Sequence, residues 1–92
     1  LTTALYGLGI LYIFELDESE KAIPYLEKLL TIETKHTDAM FVLARCYYST
    51  YQFDKAVDLY DKILSITKSA QKKADAEANK KAALDAAYSY EQ

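Results

Sequence analysis

Few residues of this chain have the type and spacing to do chemistry. His36 is the one histidine, and it stands in the polar stretch "TKHT" between two apolar segments. A general base needs a nucleophile within hydrogen-bond reach, and nothing flanking His36 supplies one. The expectation is a solvated turn histidine. Cys46 is the single cysteine, so no internal disulfide can form. It stands in mid-helix beside Tyr47, where a small buried residue is expected rather than a reactive thiol. Glu15, Asp17, Glu18 and Glu20 cluster in "ELDESE", but a metal site needs convergent ligands, and a capping turn accounts for them. Gly7 and Gly9 are the only glycines. No strand precedes them and no Lys-Ser/Thr follows, so they are not a phosphate loop. Lys72, Lys73, Lys80 and Lys81 alternate with Asp75 and Glu77 and read as a solvated helix face, not a nucleic-acid stripe. No catalytic residues, metal ligands or cofactor site are assigned, and the expected class is not an enzyme.

Composition narrows the classes further. The chain has 92 residues, 51% hydrophobic and 27% charged, which suits one small soluble domain with a thin core. The net charge of −3 is mild. Residues 1–67 carry a net −4 and residues 68–92 a net +1, and neither part forms a nucleic-acid patch. The longest apolar run, Gly7 to Phe14, is far too short to span a membrane, so no insertion is expected within this sequence. No secretion signal is visible, and a cytoplasmic location is the default. Because the first residue is Leu1, the chain reads as an excised or processed fragment.

The elements that must position any site are helices. One proline and two glycines leave few breakers. Thr2 to Glu15 places Leu5, Leu8, Leu11 and Tyr12 on one face by steps of three and four. A second helix is expected from about Glu18 to Glu33, capped by Asp17 or Ser19, with Pro24 near its amino end. A third runs from Asp38 to about Ser49 with Thr37 as its cap. A fourth begins near Asp54 and presents Ala56, Leu59, Tyr60, Ile63 and Leu64. A fifth, from about Ala70 to Tyr90, is rich in alanine and lysine, with apolar residues at Ala83, Leu84, Ala87 and Tyr88.

The segments repeat. Leu5-x-x-Leu8-Gly9-x-x-Tyr12 matches Met40-x-x-Leu43-Ala44-x-x-Tyr47. Lys21-Ala22-Ile23-x-x-Leu26 matches Lys55-Ala56-Val57-x-x-Tyr60. Ala22 and Ala56 lie 34 residues apart, whereas Tyr12 and Tyr47 lie 35 apart, so the first unit holds one extra residue, placed here in its turn. Gly9, Ala44, Ala22 and Ala56 are the small residues at which paired helices touch, and a larger side chain there would overpack the contact. Leu8, Leu43, Tyr12 and Tyr47 fill the space around it.

This pattern resembles the tetratricopeptide repeat family, whose 34-residue helix–turn–helix unit carries Leu-Gly, Tyr and Ala at these offsets. The family's closing proline is replaced by Thr34 and Lys68, and its leading large residue is Leu5 or Met40. The resemblance implies an all-α fold of antiparallel helix–turn–helix units stacked as a short right-handed α-solenoid. Residues 2–35 are then repeat one and 36–69 repeat two. Residues 70–92 are a capping helix or the first helix of a third repeat, all within one domain, 1–92. In this last helix Lys81-x-x-Leu84-Asp85-x-x-Tyr88 falls in register with the first helices of the two repeats, with Asp85 and Lys81 as polar departures.

The resemblance further implies a non-catalytic scaffold that binds a peptide or helix of another protein in a groove lined by the first helices. Tyr6, Ile10 and Ile13 would face it from repeat one, beside Thr3. Phe41, Arg45 and Tyr48 would do so from repeat two, beside Asp38. Asn79, Ala82, Ala86 and Ser89 follow in the last helix. Aromatic residues with arginine are what binding surfaces enrich. Family members that take acidic carboxyl termini use Lys and Asn where this chain has Tyr6 and Ile10, so that activity is not expected. The alternative is end-to-end self-association into a homo-oligomer, since two repeats fall short of the three wanted for stability.

Overall fold

A computed structural model describes residues 1–92 as five α-helices joined by short turns: α1 Thr2–Ile10, α2 Ser19–Ile32, α3 Thr37–Ser49, α4 Phe53–Ile66 and α5 Ala70–Glu91. Each helix packs on its neighbours in the chain, and α1 also touches α3. The fold is all-α, as the helical periodicity dictates.

The extra residue of the first unit is not in the turn. It is absorbed before the turn, in a π-helical segment, Leu11–Glu15, that continues α1 directly. There the N–H of Leu16 donates to the carbonyl of Leu11, five residues back, at 3.1 Å. The turns that follow α1 and α3 are otherwise alike. Each contains one residue with a left-handed backbone, Asp17 at φ 52° and Tyr51 at φ 63°. These two lie 34 residues apart, so the units are back in step by Asp17. The slip falls between Tyr12 and Asp17. One residue is ~100° of helix rotation, and the consequences for side chains are large. Ile13 turns into the core, where it is 6% exposed like Tyr47, its counterpart 34 residues on. Tyr12 is half-buried instead and stacks on Tyr25, with ring centroids 5.6 Å apart. Phe14 is 52% exposed.

The caps also differ from expectation. Glu18, not Asp17 or Ser19, precedes α2, with no side-chain cap. His36 caps α3: its Nδ1 accepts from the N–H of Ala39 at 3.0 Å. It is half-buried, its ring 5.2 Å from that of Tyr6. The polar turn residue is thus structural, because an orphan N–H at a helix start needs an acceptor. Thr37 instead accepts from the Nζ of Lys72 at 2.8 Å.

Leu26, Leu29, Met40 and Ile63 are the largest fully buried side chains. Ala22, Ala44 and Ala56 are 0% exposed. Leu43 is buried and Leu8 half-buried. Gly9 faces Leu26 so closely that a Cβ there would stand 2.6 Å from Leu26 Cδ2. Gly7 has nothing within 4 Å of where its Cβ would be. Gly7→Ala therefore removes unfolded-state freedom without a clash, and the variant should be more stable by about 0.4–1 kcal/mol. Thermal unfolding checks this, and any loss of stability would contradict the open space.

The last helix packs by a stripe other than its larger apolar residues. Ala76 and Ala83 are 0% exposed, whereas Leu84 is 49% and Tyr88 68% exposed. Two lysines of the expected solvated face bridge helices instead. Lys80 pairs with Asp61 of α4 at 2.7 Å, and Lys72 with Asp38 of α3 at 3.4 Å. Lys81 pairs within α5 with Asp85 at 2.8 Å. Partly exposed pairs of this kind contribute ~0.2–1 kcal/mol each, so the alanine stripe carries the docking.

Candidate functional site

The π-helical segment sets one wall of an open cavity of about 570 Å³. By releasing Phe14 outward it places that ring where Tyr48 stands one repeat later. The guanidinium of Arg45 on α3 lies over the Phe14 ring, 5.1 Å from its centroid. Phe41, Val42, Tyr48 and Ser49 of α3 continue the lining, and Asn79 and Ala82 of α5 close the far side. Tyr60 of α4 forms the floor, 5% exposed, its ring 6.3 Å from Phe41. Helical periodicity explains the α3 contribution: residues 41, 45 and 48 are three and four apart and share a face.

A second cavity of about 520 Å³ continues the first and shares Tyr48 and Ser49 with it. Its walls are aromatic. Tyr48 meets Phe53 edge to face at 5.4 Å, and Tyr51 stacks on Tyr90 at 5.3 Å. Tyr51 holds its ring there from a left-handed backbone, which costs a bulky residue ~1–3 kcal/mol.

The electrostatics are simple. Arg45 is the one charged residue of the first cavity. It takes part in none of the chain's ion pairs, and its guanidinium donates to no protein acceptor. Burial raises the pKa of the Tyr60 hydroxyl, and the charge of Arg45 pulls against that rise. Burial, with a hydrogen bond to Glu27, holds the Tyr47 hydroxyl well above its ordinary value of 10.

Three of the six residues expected on the groove, Phe41, Arg45 and Tyr48, come together here. The other three do not. Ile13 is core, for the reason of phase given above. Tyr6 is half-buried against His36. Ile10 is half-buried and is not among the lining residues. Asn79, Ala82, Ala86 and Ser89 do line the two cavities. Phe14 and Tyr60 escaped the sequence reading. A 34-residue offset applied after Tyr12 pairs Phe14 with Tyr48 and would have found the first. Tyr60 was paired with Leu26 as a repeat position, and only the fold exposes its ring at a cavity floor.

The lining supplies aromatic faces, hydroxyls, one amide and one guanidinium, which is chemistry for binding. Cys46 is fully buried, and burial pushes its thiol up to about 11. An unfolded thiol ionises near 9. The group's contribution to stability is therefore complete below pH 9 and is lost as pH climbs from 9 through 11. The melting temperature should fall over that range, and less steeply in Cys46→Ala. Equal slopes would mean that the thiol is not held neutral.

A family model described as "Tetratricopeptide repeat" matches residues 14–84. No curated protein matches the chain.

Proposed function

The chain belongs to the tetratricopeptide repeat family, whose repeats generally mediate protein–protein interaction, and we propose that this one is a non-catalytic scaffold that takes a segment of another protein in the paired cavities. The observation that carries this reading is the junction of α3 with α5. Phe41, Arg45 and Tyr48 meet Asn79 and Ala82 across an open, aromatic-lined trough that runs on to Tyr51 and Tyr90. Tyrosine and arginine are residues that interface hot spots enrich. No helix is long and apolar enough to cross a membrane.

Tyr48 is the residue to test, because it belongs to both cavities and is 41% exposed. Tyr48→Ala should leave helical content intact and weaken capture of a protein partner from a lysate. A partner retained equally by both forms would remove the groove assignment.

A second reading, end-to-end self-association, is favoured by the outer face of α1. Ala4, Gly7 and Leu11 are exposed there. Their counterparts 35 residues on, Ala39 and Cys46, are fully buried beside α2, and Val42 is half-buried. A stacked copy would cover this stripe. Light scattering over a concentration series decides it, and a strict monomer throughout would sink the idea.

A further inference from the structure

The cavity also indicates what kind of segment enters it. Resting on the groove reading above, we infer that the bound segment presents an aspartate or glutamate side chain to Arg45, next to a large apolar residue seated among Phe14, Phe41 and Tyr48. Four observations converge on a carboxylate.

Arg45 is the cavity's only charged residue. It takes part in no ion pair, so no carboxylate of the chain neutralises it within the cavity. Second, its position over the Phe14 ring, 5.1 Å from the centroid, occupies the face of the guanidinium system and leaves its N–H donors available. That fork matches the two oxygens of a carboxylate. Third, the chain is net negative, with 14 acidic residues, yet none lines this cavity. An incoming acid meets no like charge in the lining, and an incoming lysine meets a cation. Fourth, Asn79 lines the same cavity and adds an amide whose N–H groups can donate to a carboxylate. The surrounding rings then call for an apolar neighbour, which would bury area that a lone acidic residue cannot. A phosphate is the less fitting anion, because phosphopeptide sites gather several arginines and this cavity has one.

The test uses the intact 92-residue chain as bait for a phage-displayed library of random peptides, panned at low ionic strength. Selected peptides should pair Asp or Glu with a large apolar neighbour. Each is then synthesised with its Asn or Gln analogue. The amide analogue should bind about ten-fold more weakly, as loss of a charge-assisted hydrogen bond predicts. On Arg45→Gln, with helical content unchanged, that difference should vanish. If acid and amide bind alike while Tyr48→Ala weakens both, the carboxylate inference falls and the groove reading stands. If a phosphoserine in the acid's place binds more than ten-fold tighter, Arg45 is reassigned to a phosphate and the inference falls. If binding is indifferent to both Arg45→Gln and Tyr48→Ala, or no binder is selected, both readings fall.

Discussion

Gly9→Leu should cost about 3 kcal/mol or more and lower the melting temperature by about 10–20 °C. The reason is local and steric. A single Cβ at position 9 already falls 2.6 Å from Leu26 Cδ2 and 2.7 Å from its Cγ. Leu26 is 0% exposed and sits in the buried cluster that also holds Ala22, Leu43 and Ala44. Adding three further carbons forces α1 and α2 apart, or drives Leu26 into Ala22 and Ala44, which are themselves fully buried. The three atoms nearest to where that Cβ would stand all belong to Leu26, which makes a sharper test available. Leu26→Ala by itself should cost about 2–5 kcal/mol by leaving a cavity. In that background Gly9→Ala has space to fill and gains helix propensity. The double variant should therefore be more stable than the sum of the two single effects, by about 0.5–3 kcal/mol. Thermal or urea unfolding of all four proteins measures the coupling. Simple additivity would mean that the helices are not in contact through these two residues.

Ala83→Glu should undock the last helix, while Leu84→Glu, one residue away, should change stability by no more than about 0.5 kcal/mol. Ala83 is 0% exposed against the rest of the fold, and Leu84 is 49% exposed. A carboxylate at 83 must either shed its water or push α5 off α4. Separation is the cheaper course. The helix has only Ala76 and Ala83 fully buried, and the Lys80–Asp61 and Lys72–Asp38 pairs that accompany them are partly exposed. Amide exchange should show α5 losing protection, and the cavity should lose the wall formed by Asn79 and Ala82. The opposite ranking of the two variants would restore the stripe that hydrophobicity alone suggests.

Much of this molecule is legible in its sequence. The five helices follow from apolar spacing and scarce breakers. The pairing of α1 with α2 and of α3 with α4 follows from small residues at matched offsets, Gly9 with Ala22 and Ala44 with Ala56. Those are local patterns, and local patterns survive in one dimension. Of the α3 residues at the candidate site, Phe41, Arg45 and Tyr48 were implied by the family resemblance, and they stay together because one regular helix carries all three on one face.

What the sequence left open is phase. Nothing in "LYIFEL" says where the extra residue goes, because a longer turn and a π-helical segment have the same count. The fold placed it within the helix, and that ~100° rotation exchanged Ile13 for Phe14 as the residue facing outward. The same ambiguity governs α5. Ala83 and Leu84 are neighbours in the chain, and the larger one looks like the core residue by hydrophobicity. Close approach to α4 requires the smaller, so packing reversed the order. Arg45 over Phe14, and Tyr60 as a cavity floor, join residues 31 and more than ten positions apart. The sequence by itself determined which helices form and which small residues let them touch. Only the tertiary structure decided which side of each helix is left to meet a partner, because that depends on what the neighbouring helices cover.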